Sequence, residues 1–246
     1  MTLIELNAPR VVVLRDRGNE YKLTVARIRA AQWLKYFDGI ESTSENANGK
    51  RVDRFDSSSA RLQLATESLC DAQGYATAEN RPISSIERWK ELISTAHRLS
   101  LGSVLTDVRR SEAQASSAIL LGTETVYLDA VWSANERGEM CEVRGLVHRF
   151  RTPTAEQHRR FSRDSARSTI TGNSRKAVTR WMGAQATLAE LYDELVQSVE
   201  GYTVEGVPLG ENRAAIAAEM DVYHKVAAAD ALFSPGTADL KDEDNK

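Results

Sequence analysis

Two stretches of the chain resemble one another at a separation of about half its length, and this repetition constrains the fold more than any other feature. Each stretch has a Gly-Tyr pair, a proline a few residues later, a helical stretch with one histidine, and a leucine eight residues after that histidine. The matching residues, all 127 positions apart, are Gly74 and Gly201, Tyr75 and Tyr202, His97 and His224, and Leu105 and Leu232. Looser matches upstream continue with an offset that shrinks steadily to 120, as a few small insertions would produce. The pattern predicts that one unit occurs twice.

The residues before the Gly-Tyr pairs predict the same elements in both halves. Residues 10–25 and 125–150 each contain two strand-like runs around a polar loop with glycine, which is typical of a β-hairpin. A helix is predicted after each hairpin, and the second one begins behind a Thr-Pro-Thr step that favours a helix start. The polar stretches that follow, ESTSENANGKRVD and SARSTITGNSRKA, are rich in Asn, Gly and Ser and are predicted to be turns or mobile surface loops.

A helix with one apolar face is predicted after each polar stretch. Apolar residues recur there at steps of three and four, at Leu62, Ala65, Leu69 and Ala72 and again at Leu188, Leu191, Leu195 and Val199. The glycine of each Gly-Tyr pair is expected to close that helix in a left-handed conformation. A last helix is predicted over 84–105 and over 212–233.

These elements predict an α+β protein, mostly helical, made of two similar duplicated units, each a β-hairpin followed by about three helices. The predicted domains are residues 1–110 and 125–233, joined by a linker at 111–124 and followed by a disordered acidic tail at 234–246. Tyr75 and Tyr202 are expected to be substantially buried at equivalent places.

Composition excludes several classes of protein. A net charge of −3, from 32 basic and 35 acidic residues, gives the whole chain no attraction to nucleic acid or to a membrane surface. The longest apolar run, VVVL, is far too short to span a bilayer, and the first residues lack the pattern of a signal peptide. We therefore expect a soluble protein of a reducing cytoplasm. Cys70 and Cys141 are expected to be small buried hydrophobes.

No residue pattern predicts catalysis. His97 and His224 match in the repeat, but no carboxylate or cysteine stands at metal-ligand spacing around either, so the polar edge of a helix is the simpler interpretation. The glutamates of the second half lack the cleft that would separate the pKa values of a catalytic pair. We expect no catalytic residues, no metal and no cofactor.

A basic segment is the one feature that points to a partner. Between residues 156 and 180, seven basic residues stand against two acidic ones, whereas the matching stretch 38–56 has three against five. The candidate partner-binding residues are Arg159, Arg160, Arg163, Arg167, Arg175, Lys176 and Arg180. A solvated basic face, an acidic protein partner, head-to-tail pairing with the acidic loop of a neighbouring copy, and nucleic acid are all compatible with it. Aromatic residues are sparse there, which argues against stacking on single strands.

The second half also resembles a known family. The stretches HRFRTPTAEQHRRFSR, TLAELYDELVQSVEGYTVEG and YHKVAAADALF, within residues 148–233, are similar to small proteins of tailed-bacteriophage structural modules, particularly the tail-assembly chaperones. The resemblance implies a non-enzymatic protein that coats the helical tape-measure protein in the cytoplasm of the bacterial host, and it implies no metal or cofactor. Because the chain is about twice the usual length, a permanent structural component of the virion is the first alternative. A nucleic-acid-binding protein that uses residues 159–180 is the second.

Overall fold

The computed structural model of this protein describes residues 3–47, 50–76, 81–111, 122–165, 168–172, 176–181 and 184–234. Residues 3–111 are called the first half below, and residues 122–234 the second half. Apart from their end residues, the predicted linker at 111–124 and the predicted tail at 234–246 lie outside the described residues.

The first half begins with a short strand and then follows the order hairpin, helix, hairpin, helix, strand. A two-residue turn at Arg17 and Gly18, with φ of 49° and 81°, joins its first two long strands, and two positive φ values suit the right-handed twist of a hairpin. The elements are β1 (Ile4–Glu5), β2 (Arg10–Asp16), β3 (Asn19–Val25), α1 (Ala30–Asp38), β4 (Glu41–Ala47), β5 (Lys50–Asp56), α2 (Ser58–Ser68), β6 (Leu69–Gln73), α3 (Trp89–Leu92), α4 (Thr95–Leu105) and β7 (Val108–Arg110).

The second half has the same order with a longer first hairpin. Its elements are β8 (Thr123–Ala134), β9 (Met140–Arg151), α5 (Ala155–Ser165), β10 (Ser168–Gly172), β11 (Lys176–Trp181), α6 (Ala184–Leu195), β12 (Val196–Glu200), β13 (Tyr202–Val204), β14 (Val207–Pro208), α7 (Arg213–Glu219) and α8 (Val222–Phe233). Strand β1 of the first half pairs parallel with β13, so the beginning of the described chain is tied to the second half.

In each half a later strand returns to the first hairpin and extends its sheet, and β7 of the first half joins the sheet of the second half. The strand orders are β2-β3-β6 and β12-β9-β8-β7. In both sheets the returning strand is antiparallel to the second strand of the hairpin, and in both the register shifts by one residue near its start. Leu23 lies opposite Ala72 in one sheet, and His148 lies opposite Val199 in the other. These registers define which residues correspond between the two sheets.

The remaining hairpins, β4–β5 and β10–β11, join into one sheet that both halves share. Its strand order is β10-β11-β4-β5, and the central pair β4 and β11 is antiparallel. The register sets Lys176 opposite Glu45 and Arg180 opposite Glu41. The prediction of polar loops at these places is therefore wrong. Strand pairing between residues more than a hundred positions apart overrides the local turn-like composition, and a single stretch of sequence carries no sign of it.

The halves also share a core. The ring of Trp33, on α1, lies 4.9 Å from that of Tyr223, on α8, and its indole N–H donates to Asp221 Oδ2 at 3.1 Å. Strand β2 meets β8, where Val11 N donates to Ser133 Oγ at 2.9 Å. The guanidinium of Arg10 lies 4.0 Å from the ring centre of Trp132, and burial lowers the pKa of Arg10 to about 10. Apolar contacts and buried polar contacts both cross from one half to the other.

The prediction of a mixed α and β protein is confirmed, with more strand in each half than one hairpin. Leu188, Leu191 and Leu195 are buried in α6 as expected, but α6 ends at Leu195 and Val199 belongs to β12. In the first half α2 likewise ends before Leu69. The expectation for the cysteines is wrong, because Cys70 is exposed and Cys141 is only partly buried.

Candidate functional site

Three of the predicted arginines lie on one exposed helix face. Helix α5 begins with a capping box, in which Gln157 N donates to Thr154 Oγ1 at 3.3 Å and Thr154 N donates to Gln157 Oε1 at 3.0 Å. This start sets Arg159, Arg160 and Arg163 along a groove of about 670 Å³ between α5 and α6. Arg151, at the end of β9, lines the same groove, although the prediction began the candidate set at Arg159. The groove defined by these four residues is called the arginine groove below.

Acidic side chains neutralise much of the arginine groove. Arg160 donates to Glu194 Oε1 at 2.6 Å and also pairs with Glu190. Arg163 Nε donates to Asp164 Oδ1 at 2.9 Å. Hydrogen bonds from Gln157 and from Arg160 hold the pKa of Glu194 below its ordinary value. The surface therefore alternates in charge, and a polyanion would have to displace these carboxylates before it could use Arg160 or Arg163.

The other predicted basic residues are not brought to the arginine groove by any described contact. Lys176 and Arg180 lie on β11 in the shared sheet, where their Cα partners are Glu45 and Glu41. Arg167 and Arg175 lie outside the described residues. The five candidates that the structure describes are thus divided between a helix and a strand, and acidic residues pair with Arg160 and Arg163 and stand opposite Lys176 and Arg180.

The second half contains a buried polar network that the sequence did not predict. The hydroxyl of Tyr192 lies 2.9 Å from His148 Nδ1, and His148 Nε2 lies 2.8 Å from the hydroxyl of Tyr202. The same Tyr202 hydroxyl lies 2.9 Å from His224 Nδ1. None of these four side chains is more than 2% exposed. Tyr192, His148, Tyr202 and His224 are called the Tyr–His network below.

Four different elements position the Tyr–His network. Tyr192 lies on α6, His148 on β9, Tyr202 at the start of β13 and His224 on α8. The expectation that His224 sits at the polar edge of a helix is wrong. The spacing of residues along α8 does not show that His224 is buried, because its surroundings include His148 on β9, 76 positions earlier, and Tyr192 on α6. The matched spacing of Tyr202 and His224 was visible, but nothing in it indicated the partner histidine.

Burial keeps all four groups of the network neutral. It lowers the pKa of His148 to about 3 and that of His224 well below 6.5, and it raises the pKa of Tyr192 and Tyr202 well above 10.0. Since each tyrosine has one proton to donate, both hydroxyls are satisfied when Tyr192 donates to His148, His148 to Tyr202, and Tyr202 to His224. His224 Nε2 then carries the last proton, and no hydrogen-bond partner for it is found among the described residues.

A smaller counterpart lies in the first half. The hydroxyl of Tyr75 is 2.7 Å from His97 Nδ1, and His97 Nε2 is 3.5 Å from Asp16. Tyr202 is almost fully buried and Tyr75 is partly buried against the core, so the predicted burial is complete at Tyr202 and partial at Tyr75. We call this pair the Tyr75–His97 couple.

An apolar groove adjoins the Tyr75–His97 couple. It has a volume of about 490 Å³ and is lined by Tyr75 together with Ile83, Ile86 and Leu92. Leu92 is 60% exposed, the second highest value for a large apolar residue in the described part of the chain. Among the described residues this surface, called the apolar groove below, is exposed, whereas the Tyr–His network is buried.

Searches for other kinds of site give no candidate within the described ranges. No group of three or more His, Cys, Asp or Glu side chains there is arranged to hold a metal ion. Within those residues, no helix combines the length and the apolarity needed to cross a membrane.

Comparison of the chain with protein-family models, with curated proteins and with solved structures finds no match in any of the three.

Proposed function

We propose that this protein is a non-enzymatic assembly protein of a bacteriophage tail, which acts by binding other proteins. The observation that carries the proposal is the contrast between the buried Tyr–His network and the two exposed grooves of the protein. The side chains best suited to proton transfer form the Tyr–His network, which no substrate reaches, because its members are at most 2% exposed. The surfaces open to a partner are the apolar groove and the charge-alternating arginine groove, and neither presents an unpaired set of catalytic groups.

The proposal includes an internal duplication. Several contacts occur in both halves at corresponding positions, and each is more specific than a shared element order. The Tyr75–His97 pair corresponds to the Tyr202–His224 pair. The hydrogen bond from Arg29 N to Gln32 Oε1 corresponds to the one from Thr154 N to Gln157 Oε1. The Lys35–Glu67 ion pair corresponds to the Arg160–Glu194 ion pair. Gly74 and Gly201 have φ of 91° and 94°. If the halves had separate origins, the same helix-start hydrogen bonds, the same glycine conformation and the same side-chain pairs would have had to arise twice.

The apolar groove fits the part of a tail-assembly chaperone. Such a protein would hold a long helical tape-measure protein before the tail tube forms. An amphipathic helix binds a groove by its apolar residues, with polar residues at the rim. Leu92, Ile86 and the ring of Tyr75 offer that apolar floor, and the hydroxyl of Tyr75 supplies a polar group beside it. We therefore assign the partner helix to the apolar groove.

A permanent place in the virion is the second candidate, and the shared sheet favours it. Its two outer strands leave edges to which further strands could be added. A chaperone leaves its partner before the particle is complete, whereas a tail component stays. Mass spectrometry of purified particles separates the two: stoichiometric presence contradicts the chaperone role, and absence contradicts the virion role.

The assignment of the apolar groove is tested by a pull-down with a tape-measure protein of the phage or prophage that encodes this chain. Leu92→Asp places a charge on the groove and should reduce recovery at least about tenfold, as loss of a central apolar contact does. Val207→Asp is the matched control, because Val207 is 65% exposed and lies outside the groove. Equal recovery of both variants and the parent would contradict the assignment.

Nucleic-acid binding is disfavoured by the ion pairs in the arginine groove. Arg160 and Arg163 already have carboxylate partners, and phosphate binding gains its affinity from unpaired cations that release counterions. We expect no gel shift of duplex DNA at about 50 mM salt, a condition that favours non-specific binding. A shift that Arg159→Glu abolishes would overturn this expectation.

A further inference from the structure

The shared sheet ends in two strands that lack an outer partner. Its order is β10-β11-β4-β5, with one hairpin from each half. Among the described residues, no strand pairs with the outer edge of β5 or of β10. Within the described ranges the sheet therefore has an unpaired edge at each side, and each edge belongs to a different half.

The two hairpins correspond residue by residue. Every cross-strand pair in β10–β11 is matched in β4–β5 by a pair 126 positions earlier. Examples are Ser42 opposite Phe55 with Ser168 opposite Trp181, and Glu45 opposite Val52 with Thr171 opposite Val178. Strand β4 thus corresponds to β10, and β5 corresponds to β11.

This correspondence makes the contact between the halves heterologous. The contact is made by the first strand of one hairpin, β4, and the second strand of the other, β11. Because β10 corresponds to β4 and β5 corresponds to β11, the same kind of contact could form a second time, between β5 and β10, and within the chain it does not. Heterologous contacts between copies of a molecule produce closed rings or open filaments.

We propose that β5 of one copy pairs with β10 of the next copy, in the way that β11 pairs with β4 within the chain. The partner is a second copy of this protein, and the assembly is head-to-tail with four strands of a continuous sheet from each copy. The inference rests on the proposed duplication and specifies the assembly role proposed above.

The within-chain register predicts the register between copies. Each residue of β11 is replaced by the residue 126 positions earlier, on β5, and each residue of β4 by the residue 126 positions later, on β10. The pairs between copies are then Lys50 opposite Thr171, Arg51 opposite Ile170, Val52 opposite Thr169, and Asp53 opposite Ser168. Four successive pairs are enough for a short antiparallel ladder, and they leave the turn of each hairpin outside the contact.

The composition of β10 agrees with a pairing role. Sheet edges in proteins are protected from other strands by charged residues or proline, and β10, with the sequence STITG, has neither. Three of its five residues are β-branched, which favours extended backbone. Strand β5, with the sequence KRVDRFD, carries charges of both signs and is the more protected edge, and the neutral β10 brings no like charge against it.

The contact between copies is expected to be weaker than the contact within the chain. Within the chain the register opposes Lys176 to Glu45, residues of opposite charge. At the corresponding place between copies, Lys50 opposes the neutral Thr171. Assembly should therefore depend on protein concentration, which allows it to be measured.

The test uses opposite charges at position 171. Thr171→Glu supplies the partner that Glu45 supplies within the chain, and Thr171→Lys opposes two lysines. A cross-strand charge pair changes the dissociation constant between copies by about 1.5- to 5-fold. By sedimentation velocity, Thr171→Glu should lower that constant and Thr171→Lys should raise it.

A charge exchange makes the test specific for the pair. Adding Lys50→Glu to Thr171→Lys should restore association, and it removes no opposed charge within the hairpin, since Lys50 lies opposite Ala47 there. A circular dichroism spectrum equal to that of the parent shows that each variant is folded. Equal effects of both substitutions at 171 would overturn the proposal, because they would indicate that β10 pairs with itself or with nothing.

Self-association is measured on the purified protein alone, so the result is independent of the tape-measure pull-down. A parent protein that stays monomeric up to submillimolar concentration overturns the head-to-tail pairing. If that monomer still binds the tape-measure protein, the proposed function stands without the head-to-tail pairing. If the copies associate as predicted but no tail protein binds and no particle contains them, the proposed function fails while the pairing stands.

Discussion

The Tyr75–His97 couple and the Tyr202–His224 couple have the same spacing along the chain and very different surroundings. In both, a tyrosine hydroxyl lies within 2.9 Å of the histidine Nδ1, 22 residues later. The second couple is buried in the core, whereas the first lies beside the apolar groove with its tyrosine only partly buried. The same local arrangement is therefore compatible with a surface position and with a core position.

The difference lies in what each couple needs around it. A buried polar atom without a partner costs roughly 1 to 3 kcal/mol, and water removes that cost at the surface. In the second half His148 and Tyr192 extend the couple into a network, and in the first half the corresponding positions hold Leu23 and Ala65. Burial of the couple is thus accompanied by added hydrogen-bond partners. The predictions below alter this difference, from the largest expected effect to the smallest.

Acid should destabilise the protein through the buried network. The folded-state pKa values of His148 and His224 lie below the ordinary value of 6.5, so the unfolded state binds more protons as the pH falls below 6.5. The stabilisation is complete above pH 6.5 and is lost progressively toward the folded-state values. At pH 5 each histidine should cost about 2 kcal/mol, or about 4 kcal/mol together. Urea unfolding between pH 7.5 and pH 5 measures the loss.

A matched variant locates the origin of the acid effect. His97→Asn removes the histidine of the Tyr75–His97 couple, and the loss between pH 7.5 and pH 5 should remain. If His97→Asn removed most of the loss, the assignment to the buried network would be wrong.

Alanine in place of the glycine before each tyrosine should destabilise the protein more at the exposed Gly74 than at the buried Gly201. At Gly74, φ is 91° and a Cβ would lie 2.4 Å from the backbone oxygen of Glu20. At Gly201, φ is 94° and a Cβ would lie 2.6 Å from Leu146 Cδ2, which is a side-chain atom. Side chains move more easily than backbone, so Gly74→Ala should cost about 3 kcal/mol and Gly201→Ala about 2 kcal/mol. Thermal unfolding of the two variants checks the order, and a larger effect at the buried Gly201 would contradict it.

These two glycines show how far the sequence could be interpreted. Each was predicted to have a left-handed backbone as the C-terminal cap of a helix, and both have positive φ, although each follows a strand and not a helix. The element before each of them was assigned incorrectly, because the apolar steps of three and four continue through α2 and α6 into β6 and β12. A pattern of apolar residues does not show where a helix gives way to a strand that pairs with a distant hairpin.

The Tyr–His network and the shared sheet were beyond prediction for a related reason. The burial of His224 depends on His148 and Tyr192, and the strand character of residues 41–56 depends on β11. In both places the deciding partner is distant in sequence and leaves no local signal. The arginines of α5 were predicted as a group, but the carboxylate partners of Arg160 on α6 became visible only in three dimensions.

Removing one hydroxyl should affect the two couples unequally. Tyr202→Phe leaves His148 Nε2 and His224 Nδ1 without their partner in a dry core, at a cost of about 2 to 3 kcal/mol. Tyr75→Phe leaves only His97 Nδ1, which lies close to solvent, and should cost about 0.5 to 1 kcal/mol. Urea unfolding at pH 7.5 gives both values. Equal costs would mean that water reaches Tyr202, contrary to its 2% exposure.

The smallest effect is expected from converting the buried network into the pattern of the first half. His148→Leu with Tyr192→Phe introduces the leucine found at Leu23 and removes a donor and its acceptor together, while Tyr202 keeps His224. Replacing both partners of a hydrogen bond by apolar groups of similar shape is close to neutral, so the double variant should lie within about 1 kcal/mol of the parent at pH 7.5. Tyr192→Phe alone leaves His148 Nδ1 unpaired, and it should therefore be less stable than the double variant. Because one of the two buried histidines is gone, the loss at pH 5 should fall from about 4 to about 2 kcal/mol. An unchanged loss at pH 5 would show that His148 does not contribute to the acid sensitivity, and His224 would then have to carry it alone.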